Sequence, residues 1–315
     1  MTPAHRISAA LAAVALLSAS AAAQAASPAA PAAHETAPLL LQSDFGLQDG
    51  SVAALKGVIY AIDPKLHVVD ITHLISPFDI QDAAYRLRQA APFWPAGAVF
   101  VSVVDPGVGT PRKSVVMKTK TGQYFVTPDN GTLTFVAQLL GVAEVREIDE
   151  KVNRRPGSEW SATFHGRDVY VFTGARLAAG AITFEQVGPS RGAEYVAIAI
   201  PASAAAANGV KGSIVAIDQP YGNLWTNIDT AQVRAAGIKV GDRVRVRISH
   251  GQTALWNDEV LFGTTFGSVP VGKPVLYVNS LNQLALAINQ GNFAQRFSIS
   301  AGPDWSMELV RLKSP

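Results

Sequence analysis

The stretch Val103-Val104-Asp105-Pro106-Gly107-Val108-Gly109-Thr110-Pro111-Arg112 decides how this chain folds and where its chemistry lies. The β-forming run from Ala98 to Val104 predicts a buried strand that stops at Asp105, because proline and glycine follow at once. Open α/β sheets bind ligands at the carboxyl ends of their strands, and glycine lets a ligand approach the backbone closely. If the next predicted strand, Ser114 to Thr119, pairs with the first as a hairpin, Asp105 and Arg112 can meet over the loop.

The same loop can also be read as an ordinary turn, with Arg112 as a solvated flank. Three further junctions count against that reading, because each places polar groups and glycine directly after an apolar run. Four such junctions in one half of the chain favour a functional site over turns alone. The other three are Ser43-Asp44-Phe45-Gly46, Pro128-Asp129-Asn130-Gly131 and Thr163-Phe164-His165-Gly166-Arg167-Asp168.

Length and composition describe a globular protein. The 315 residues suffice for one large domain or two ordinary ones, and 48% hydrophobic content with 16% charged content predicts a substantial core. The net charge is only +2 with scattered basic residues, so no nucleic-acid partner is predicted and a small neutral or zwitterionic ligand fits better. Because the chain has no cysteine, disulfides, a thiolate nucleophile and thiolate metal sites are excluded.

The amino terminus has the pattern of a secretory signal. Arg6 precedes the apolar run Ile7 to Leu17, and small residues ending in Ala23-Gln24-Ala25 predict cleavage after Ala25. A membrane anchor is the alternative, but the apolar run is short for a span. Residues 26–38 resemble a flexible leader. The mature protein is therefore expected to be periplasmic or secreted, without membrane association after cleavage.

The amino-terminal half alternates strands with helices, which predicts an α/β domain with a mostly parallel sheet covered on both faces. This domain is expected to span residues 39–197. The predicted strands are Leu39–Gln42, Leu66–Ile71, Ala98–Val104, Ser114–Thr119 and Tyr124–Thr127, and the predicted helices are Ser51–Ile62, Asp79–Ala91, Leu133–Leu140 and Ala175–Ala179, the last preceded by the apolar run Val169–Thr173.

The composition then changes to Pro, Ala, Ser and Asn, which predicts a linker over residues 198–209. Beyond it, short strands with turn signals and little helix predict a small antiparallel β-barrel domain over residues 210–315. Its predicted strands are Gly212–Asp218, Arg243–Ser249, Pro274–Tyr277, Gln283–Ala287 and Met307–Leu312, with a helix near Thr230–Ala236.

Several residues outside the opening stretch suit ligand binding. Asp44 follows a strand beside glycine, where a carboxylate can accept both hydroxyls of a ribose. Asp49 lies near the start of a helix and is either a cap or a site residue. In the second domain, the motif that contains Asp218, Tyr221 and Asn223 combines an aromatic ring, which can stack on a planar base, with an amide that reads donors and acceptors.

Two histidines, His165 and His73, lie in predicted loops and have different interpretations. His165 lies in a glycine-flanked junction and is either structural or the third member of a polar trio with Asp105 and Arg112. No second histidine or carboxylate lies at metal-ligand spacing from it, so no metal site is predicted. His73 is more typical of a hydrogen-bonded loop histidine.

Taken together, these motifs resemble the S-adenosyl-L-methionine hydroxide adenosyltransferases, relatives of the fluorinases and chlorinases. The match runs in order from about residue 39 to the end of the chain. The resemblance implies an α/β domain followed by a β-barrel, and a homotrimer that binds its ligand between the first domain of one subunit and the second domain of its neighbour. The motifs are the four junctions with Arg112, the segment Asp218 to Asn227, and Asn279-Ser280.

The resemblance also implies roles for individual residues. Asp105, Arg112 and His165 match the trio that marks the water-using members and that fluorinases and chlorinases have replaced. Leu281 departs from the fluorinase pattern, which has an arginine after the Asn-Ser pair. By the same resemblance Asp44 contacts the ribose diol, Asp49, Asp218 and Ser280 contact the methionine end, Tyr221, Asn223 and Phe266 contact adenine, and Phe78 walls the nucleophile pocket.

The implied reaction is hydrolysis of S-adenosyl-L-methionine to adenosine and L-methionine, by attack of water or hydroxide at the ribose C5′, with no cofactor. Export and Leu281 motivate an alternative, an exported nucleoside-binding protein with little or no turnover. A halide-using adenosyltransferase is a third hypothesis, which the intact trio disfavours.

Overall fold

The computed structural model describes residues 36–312, and the predicted signal peptide and most of the predicted leader lie outside that range. Residues 39–147 supply a six-stranded sheet in the order β2-β1-β3-β5-β4-β6. The pairs β1–β2, β1–β3 and β3–β5 are parallel, whereas β4 runs antiparallel to both of its neighbours. The strands are β1 (Leu39–Ser43), β2 (Val68–Thr72), β3 (Val99–Val103), β4 (Ser114–Thr119), β5 (Tyr124–Pro128) and β6 (Val142–Glu147).

Helices cover both faces of this sheet, because alternate residues of each strand point to opposite sides. Leu39 and Leu41 of β1 pack with α1 and α4, while Leu40 between them packs with α2 and α3. The predicted mostly parallel α/β sheet is therefore confirmed. The helices are α1 (Ser51–Ile62), α2 (Ile80–Ala90), α3 (Thr134–Leu140) and α4 (Phe172–Ala178).

The prediction that β3 and β4 could pair with each other as a hairpin is wrong. β5 lies between these two strands and pairs with both of them. A tight turn with Gly122 at φ 94° joins β4 to β5 as a hairpin, and the other edge of β5 pairs in parallel with β3. The loop from residue 104 to 113 consequently crosses over the end of β5 before it enters β4.

The apolar run Val169–Thr173 is helical and continuous with the helix that follows. Residues Gly166–Val171 form a π-helical turn that runs directly into α4. Val169, Tyr170 and Val171 are all fully buried, so the run has no polar face. A segment that is apolar on every side gives no periodicity from which strand and helix could be told apart.

The carboxyl-terminal domain is a closed barrel of seven strands, as predicted. β14 pairs with both β10 and β8, which closes the sheet, and only the pair β11–β12 is parallel. The barrel strands are β8 (Gly209–Asp218), β9 (Asn223–Asp229), β10 (Arg243–His250), β11 (Thr253–Phe262), β12 (Pro274–Val278), β13 (Gln283–Ile288) and β14 (Trp305–Arg311), and two short helices, α5 (Thr230–Ala235) and α6 (Phe293–Phe297), accompany them.

The sequence did not predict the barrel strands β9 and β11 or the short helix α6. β9 coincides with the motif that was interpreted as a binding segment, and most of the first half of β11 is exposed, so its sequence lacks a clear alternation. The predicted linker also contains a short strand, β7 (Ala204–Ala206), which pairs with β8. Among residues 36–312, no helix has both the length and the hydropathy needed to span a membrane.

Candidate active site

Four of the predicted site residues line one cleft of about 480 Å³ at the carboxyl edge of the first sheet. We call it the N-terminal cleft. Asp44 follows β1, Phe78 precedes α2, Asp105 follows β3, and His165 precedes the π-helical turn. The sheet order brings these loops together because β1 and β3 are parallel neighbours whose carboxyl ends lie at the same edge.

Asp105 and Arg112 form a two-pronged ion pair across the loop. Arg112 Nε donates to Asp105 Oδ1 at 2.8 Å, and Arg112 Nη2 donates to Asp105 Oδ2. The side chains are only 7% and 11% exposed, so water screens the pair little. The contact that the sequence predicted is therefore present, although the strands on either side of the loop are not paired.

Two buried hydroxyls complete the surroundings of this pair. Arg112 Nη1 donates to Ser114 Oγ at 2.9 Å, and the Tyr170 hydroxyl donates to Asp105 Oδ2 at 3.2 Å. Burial raises the pKa of Tyr170 well above its ordinary range, and the nearby Asp105 carboxylate raises it further. Tyr170 therefore stays a neutral hydrogen-bond donor throughout the physiological pH range.

His165 lies between two guanidinium groups. Its Nδ1 is 2.9 Å from Arg112 Nη2, and its Nε2 is 3.0 Å from Arg154 Nη2. Arg154 is in turn paired with Glu150, whose Oε2 accepts from Arg154 Nη2 at 2.6 Å. Burial is the main reason that the pKa of His165 lies below its ordinary value; Glu150 raises that pKa, and the charges of Arg112 and Arg154 lower it. The imidazole is therefore uncharged at neutral pH.

Asp44 and Phe78 are joined by a backbone contact. The N–H of Phe78 donates to Asp44 Oδ2 at 2.9 Å. Phe78 has a φ of 69°, in the left-handed region that aromatic residues rarely adopt, and its side chain is 69% exposed. Such a conformation costs about 1–3 kcal/mol and persists where surrounding contacts enforce it. Here it aims the ring over the cleft and the N–H at the carboxylate.

A second cleft, of about 710 Å³, lies on the barrel, and we call it the barrel cleft. It is lined by Asp218, Tyr221, Asn223 and Phe266, all of them predicted site residues. Asn223 Nδ2 donates to Asp218 Oδ2 at 2.9 Å, and burial raises the pKa of Asp218 above its ordinary value. Tyr221 and Phe266 are exposed, so their rings are open to a planar ligand. The two clefts share no lining residue.

The remaining predicted site residues lie elsewhere. Asp49 is exposed and lies one residue before Gly50, the N-cap of α1, and its Oδ1 accepts from the Ser51 N–H at 2.9 Å. That hydrogen bond lowers the pKa of Asp49. Ser280 is exposed and lines neither cleft.

Other polar groups have structural partners. His73 bonds with Ser43 Oγ at 2.7 Å and is buried, as expected of a hydrogen-bonded loop histidine. The carboxylate of Asp129 accepts from Arg191 Nη1 and from the Val196 N–H, so this junction fastens a distant segment to the sheet. Within residues 36–312, no group of three or more His, Asp or Glu side chains is arranged to hold a metal ion.

Four residues of the network were not predicted from the sequence. Tyr170 follows His165 by five positions, in the apolar run directly after the junction, so its nearness to that junction was readable. Ser114 begins the predicted strand after Arg112, so its position was also readable. Glu150 and Arg154 lie on the loop after β6, where no motif distinguishes them from other surface charges.

Comparison with known proteins identifies the family on both domains. The SAM hydroxide adenosyltransferase N-terminal domain matches residues 39–188, and the corresponding C-terminal domain matches residues 212–306. The chain is 36% identical to an "(R)-S-adenosyl-L-methionine hydrolase" of Salinispora tropica, over 82% of this chain and 93% of the relative. A hydrolase of the same description from Thermus thermophilus is 36% identical over 84% of this chain and 97% of the relative.

Similarity also extends to halogenating enzymes and to solved structures. A fluorinase of Actinoplanes sp. is 31% identical over 84% of this chain and 95% of the relative. A crystal structure of an uncharacterized conserved protein from Thermotoga maritima superimposes with a TM-score of 0.78 at 35% identity, over 87% of this chain and all of the other. The matches to both domains and the level of identity over most of the chain show that this protein belongs to the SAM hydroxide adenosyltransferase family.

Proposed function

We propose that this protein hydrolyses S-adenosyl-L-methionine to adenosine and L-methionine. The observation that carries the proposal is that Asp105 and Arg112, from the loop between β3 and β4, meet His165, from the segment before the π-helical turn, at a cleft that also presents Asp44 and Phe78. The similarity to proteins described as (R)-S-adenosyl-L-methionine hydrolases supports the same reaction. The fluorinases are also relatives, but the trio resembles that of the water-using members.

The reaction is a displacement at the ribose C5′. A bond forms between the water oxygen and C5′ while the bond from C5′ to the sulfonium sulfur breaks. The sulfur keeps the electron pair and leaves as the neutral thioether of methionine, and the water gives its proton to the carboxylate of Asp105. Because the sulfonium is already a good leaving group, the protein must chiefly position the nucleophile in line and remove its excess solvation.

Asp105 and His165 are the groups that we assign to holding this water. Asp105 Oδ2 already accepts from Arg112 and Tyr170, whereas Oδ1 accepts only from Arg112. A carboxylate oxygen has two acceptor positions, so Oδ1 has one left for a water molecule. Arg112 fixes the orientation of the carboxylate and contacts the imidazole. The uncharged imidazole provides the second polar contact.

We further propose that the barrel cleft of one subunit completes the N-terminal cleft of another in a homotrimer. The two clefts differ in the groups they present: the N-terminal cleft has Asp44, Asp105 and His165, and the barrel cleft has two open rings and an Asp–Asn pair. Tyr221, Asn223 and Phe266 would hold adenine, and Asp218, Ser280 and Asp49 the methionine end. The expected signal peptide supports action outside the cytoplasm, in the periplasm or the medium.

Product analysis tests the reaction. Purified protein incubated with S-adenosyl-L-methionine in water labelled with oxygen-18 should release methionine and adenosine labelled at the 5′ oxygen. Asp105→Ala should abolish this release, whereas the control Asp304→Ala, at an exposed turn, should not change it. Absence of turnover, with calorimetry that detects adenosine binding, would instead support the nucleoside-binding alternative. Products that depend on chloride or fluoride would support a halide-using enzyme.

Mixing variants tests the shared site. Arg112→Ala damages only the N-terminal cleft and Asn223→Ala damages only the barrel cleft. Equal amounts co-assembled into trimers should regain about one quarter of the wild-type activity, because one random pairing in four joins two intact halves. A mixture with no more activity than its separate components would contradict a site between subunits.

A further inference from the structure

The contacts of His165 contain a donor conflict. A guanidinium group only donates hydrogen bonds, and a neutral imidazole has one N–H and one accepting nitrogen. Arg112 and Arg154 nevertheless approach the two ring nitrogens at 2.9 and 3.0 Å. Only one of these contacts can be a hydrogen bond at a time, because the other nitrogen directs its proton at a donor. An imidazolium would make both contacts unfavourable.

The two arginines differ in how firmly they are held. Arg112 is bound to both oxygens of Asp105 and to Ser114, and all three side chains are largely buried. Arg154 instead donates to a single oxygen of Glu150, whose side chain is 35% exposed. Its other contact, from Nη1 to the Ser161 carbonyl, is long at 3.4 Å. Arg154 is therefore the partner that can move away from the ring.

From this difference we propose that Arg154, anchored by Glu150, is a positioning residue that works with Arg112 to keep His165 uncharged, with Nδ1 accepting from Arg112 and the ring proton on Nε2. The contact at Nε2 then opens when an acceptor such as water approaches. This inference rests on the proposed function for its catalytic meaning, but the state of the ring can be measured without turnover.

The titratable and charged groups that face the imidazole come from three segments. Asp105 lies after β3, Arg112 before β4, and Glu150 and Arg154 after β6, while Tyr170 is on the helix that follows the histidine. The two arginines are balanced by the two carboxylates, and Tyr170 is neutral. Removing one member of the Arg154–Glu150 pair therefore changes the local charge by one unit without touching the Asp105–Arg112 pair.

Nitrogen-15 spectra of the imidazole test the tautomer. In the wild-type protein at pH 7, Nδ1 of His165 should have the shift of an accepting nitrogen and Nε2 that of an N–H, with the signals assigned by their loss in His165→Asn. A ring that is positively charged at pH 7, or one that has its proton on Nδ1, would overturn the proposal.

The two partners of the pair should shift the titration in opposite directions. Arg154→Gln removes a cation and offers an acceptor to Nε2–H, so the midpoint of the His165 titration should rise. Glu150→Gln removes an anion and should lower it. The matched control Arg154→Lys keeps the charge and should leave the midpoint near that of the wild type. A merely structural pair would move both midpoints the same way or leave both unchanged, which would refute the proposal.

Kinetics connect this measurement to the reaction. If the protein hydrolyses S-adenosyl-L-methionine, the acid limb of kcat/KM against pH should follow the same order, highest for Arg154→Gln and lowest for Glu150→Gln. Absence of adenosine release from the wild type would count against the proposed function alone. Spectra with the wrong tautomer would count against the role of Arg154 alone, so the two failures are distinguishable.

Discussion

The two clefts of this protein are built in different ways. In the N-terminal cleft the polar side chains are bound to one another before any ligand arrives, through a network that runs from Asp105 to Arg112 and on to His165. In the barrel cleft the open rings of Tyr221 and Phe266 are exposed, and one hydrogen bond joins Asn223 to Asp218. Groups fixed in advance suit catalysis, whereas open rings suit binding. Changes in the first cleft should therefore affect kcat and those in the second should affect KM.

The largest expected effect follows from cutting the network at its centre. Arg112→Ala leaves Asp105 and His165 without the guanidinium that orients both, so kcat should fall by about 100- to 10,000-fold while KM changes little. Ser114→Ala, which removes a neutral partner of Arg112 and of Tyr170 but leaves the guanidinium in place, is the matched control and should cost far less. Steady-state kinetics on both variants measure this. A rise in KM as the only defect of Arg112→Ala would contradict the assignment of catalysis to the N-terminal cleft and of binding to the barrel cleft.

A second comparison concerns two carboxylates, one near each cleft. Burial alone would raise the pKa of Asp168, but hydrogen bonds from Arg167 and Arg155 outweigh it and hold that pKa below its ordinary value. Its ionised form therefore stabilises the fold above a pH of about 4, and this stability is lost as the pH falls through the lowered pKa. Asp218 behaves oppositely, because burial raises its pKa. Its contribution is present below a pH of about 4 and is lost as the pH rises through the raised pKa.

Asp168→Asn should thus lower the free energy of unfolding at pH 7 by about 2–3 kcal/mol, since it weakens three charged hydrogen bonds to a fully buried side chain. Asp218→Asn should raise the free energy of unfolding slightly at the same pH. Urea denaturation at several pH values checks both, and the two differences should shrink as the pH is lowered. Changes of the same sign in the free energy of unfolding of Asp168→Asn and Asp218→Asn at pH 7 would contradict this difference between the two carboxylates.

In the barrel cleft, Tyr221→Ala should raise KM about 10-fold with kcat nearly unchanged, because the loss of one stacking ring costs about 1–3 kcal/mol of binding. Tyr221→Phe keeps the ring and should bind almost as well as the wild type. A fall in kcat of Tyr221→Ala at constant KM would show that Tyr221 acts in catalysis and not in binding.

The smallest expected effect is at Phe78. Phe78→Gly and Phe78→Ala both remove the ring, but only glycine adopts a φ of 69° without strain. The glycine variant should therefore be more stable than the alanine variant by about 1 kcal/mol, while both lose turnover to a similar degree. Thermal unfolding of the pair gives this difference. Equal stability would indicate that the backbone relaxes when the ring is gone.

The sequence predicted the fold class and the contact between Asp105 and Arg112, because strand ends and glycine junctions are local signals. The order of the strands was not predictable in the same way. The turn at Gly122 joins β4 to β5 as a hairpin whether β3 pairs with β4 or, as observed, with β5. Glu150 and Arg154 were missed because only the folded chain brings that loop to His165. Ser280 and Asp49 line neither cleft of a single chain, so their predicted contacts depend on the proposed assembly.

The π-helical turn after His165 has a consequence for how relatives could diverge. In such a turn the hydrogen bonds span one residue more than in an α-helix. Deleting a single residue from Gly166–Val171 would restore ordinary helical spacing and rotate the preceding side chains by about 100° around the axis. The imidazole would then swing away from Asp105 although every member of the trio was still encoded. The direction in which the His165 side chain points thus depends on the number of residues in the turn. A change in the length of the turn could alter reactivity as thoroughly as a substitution.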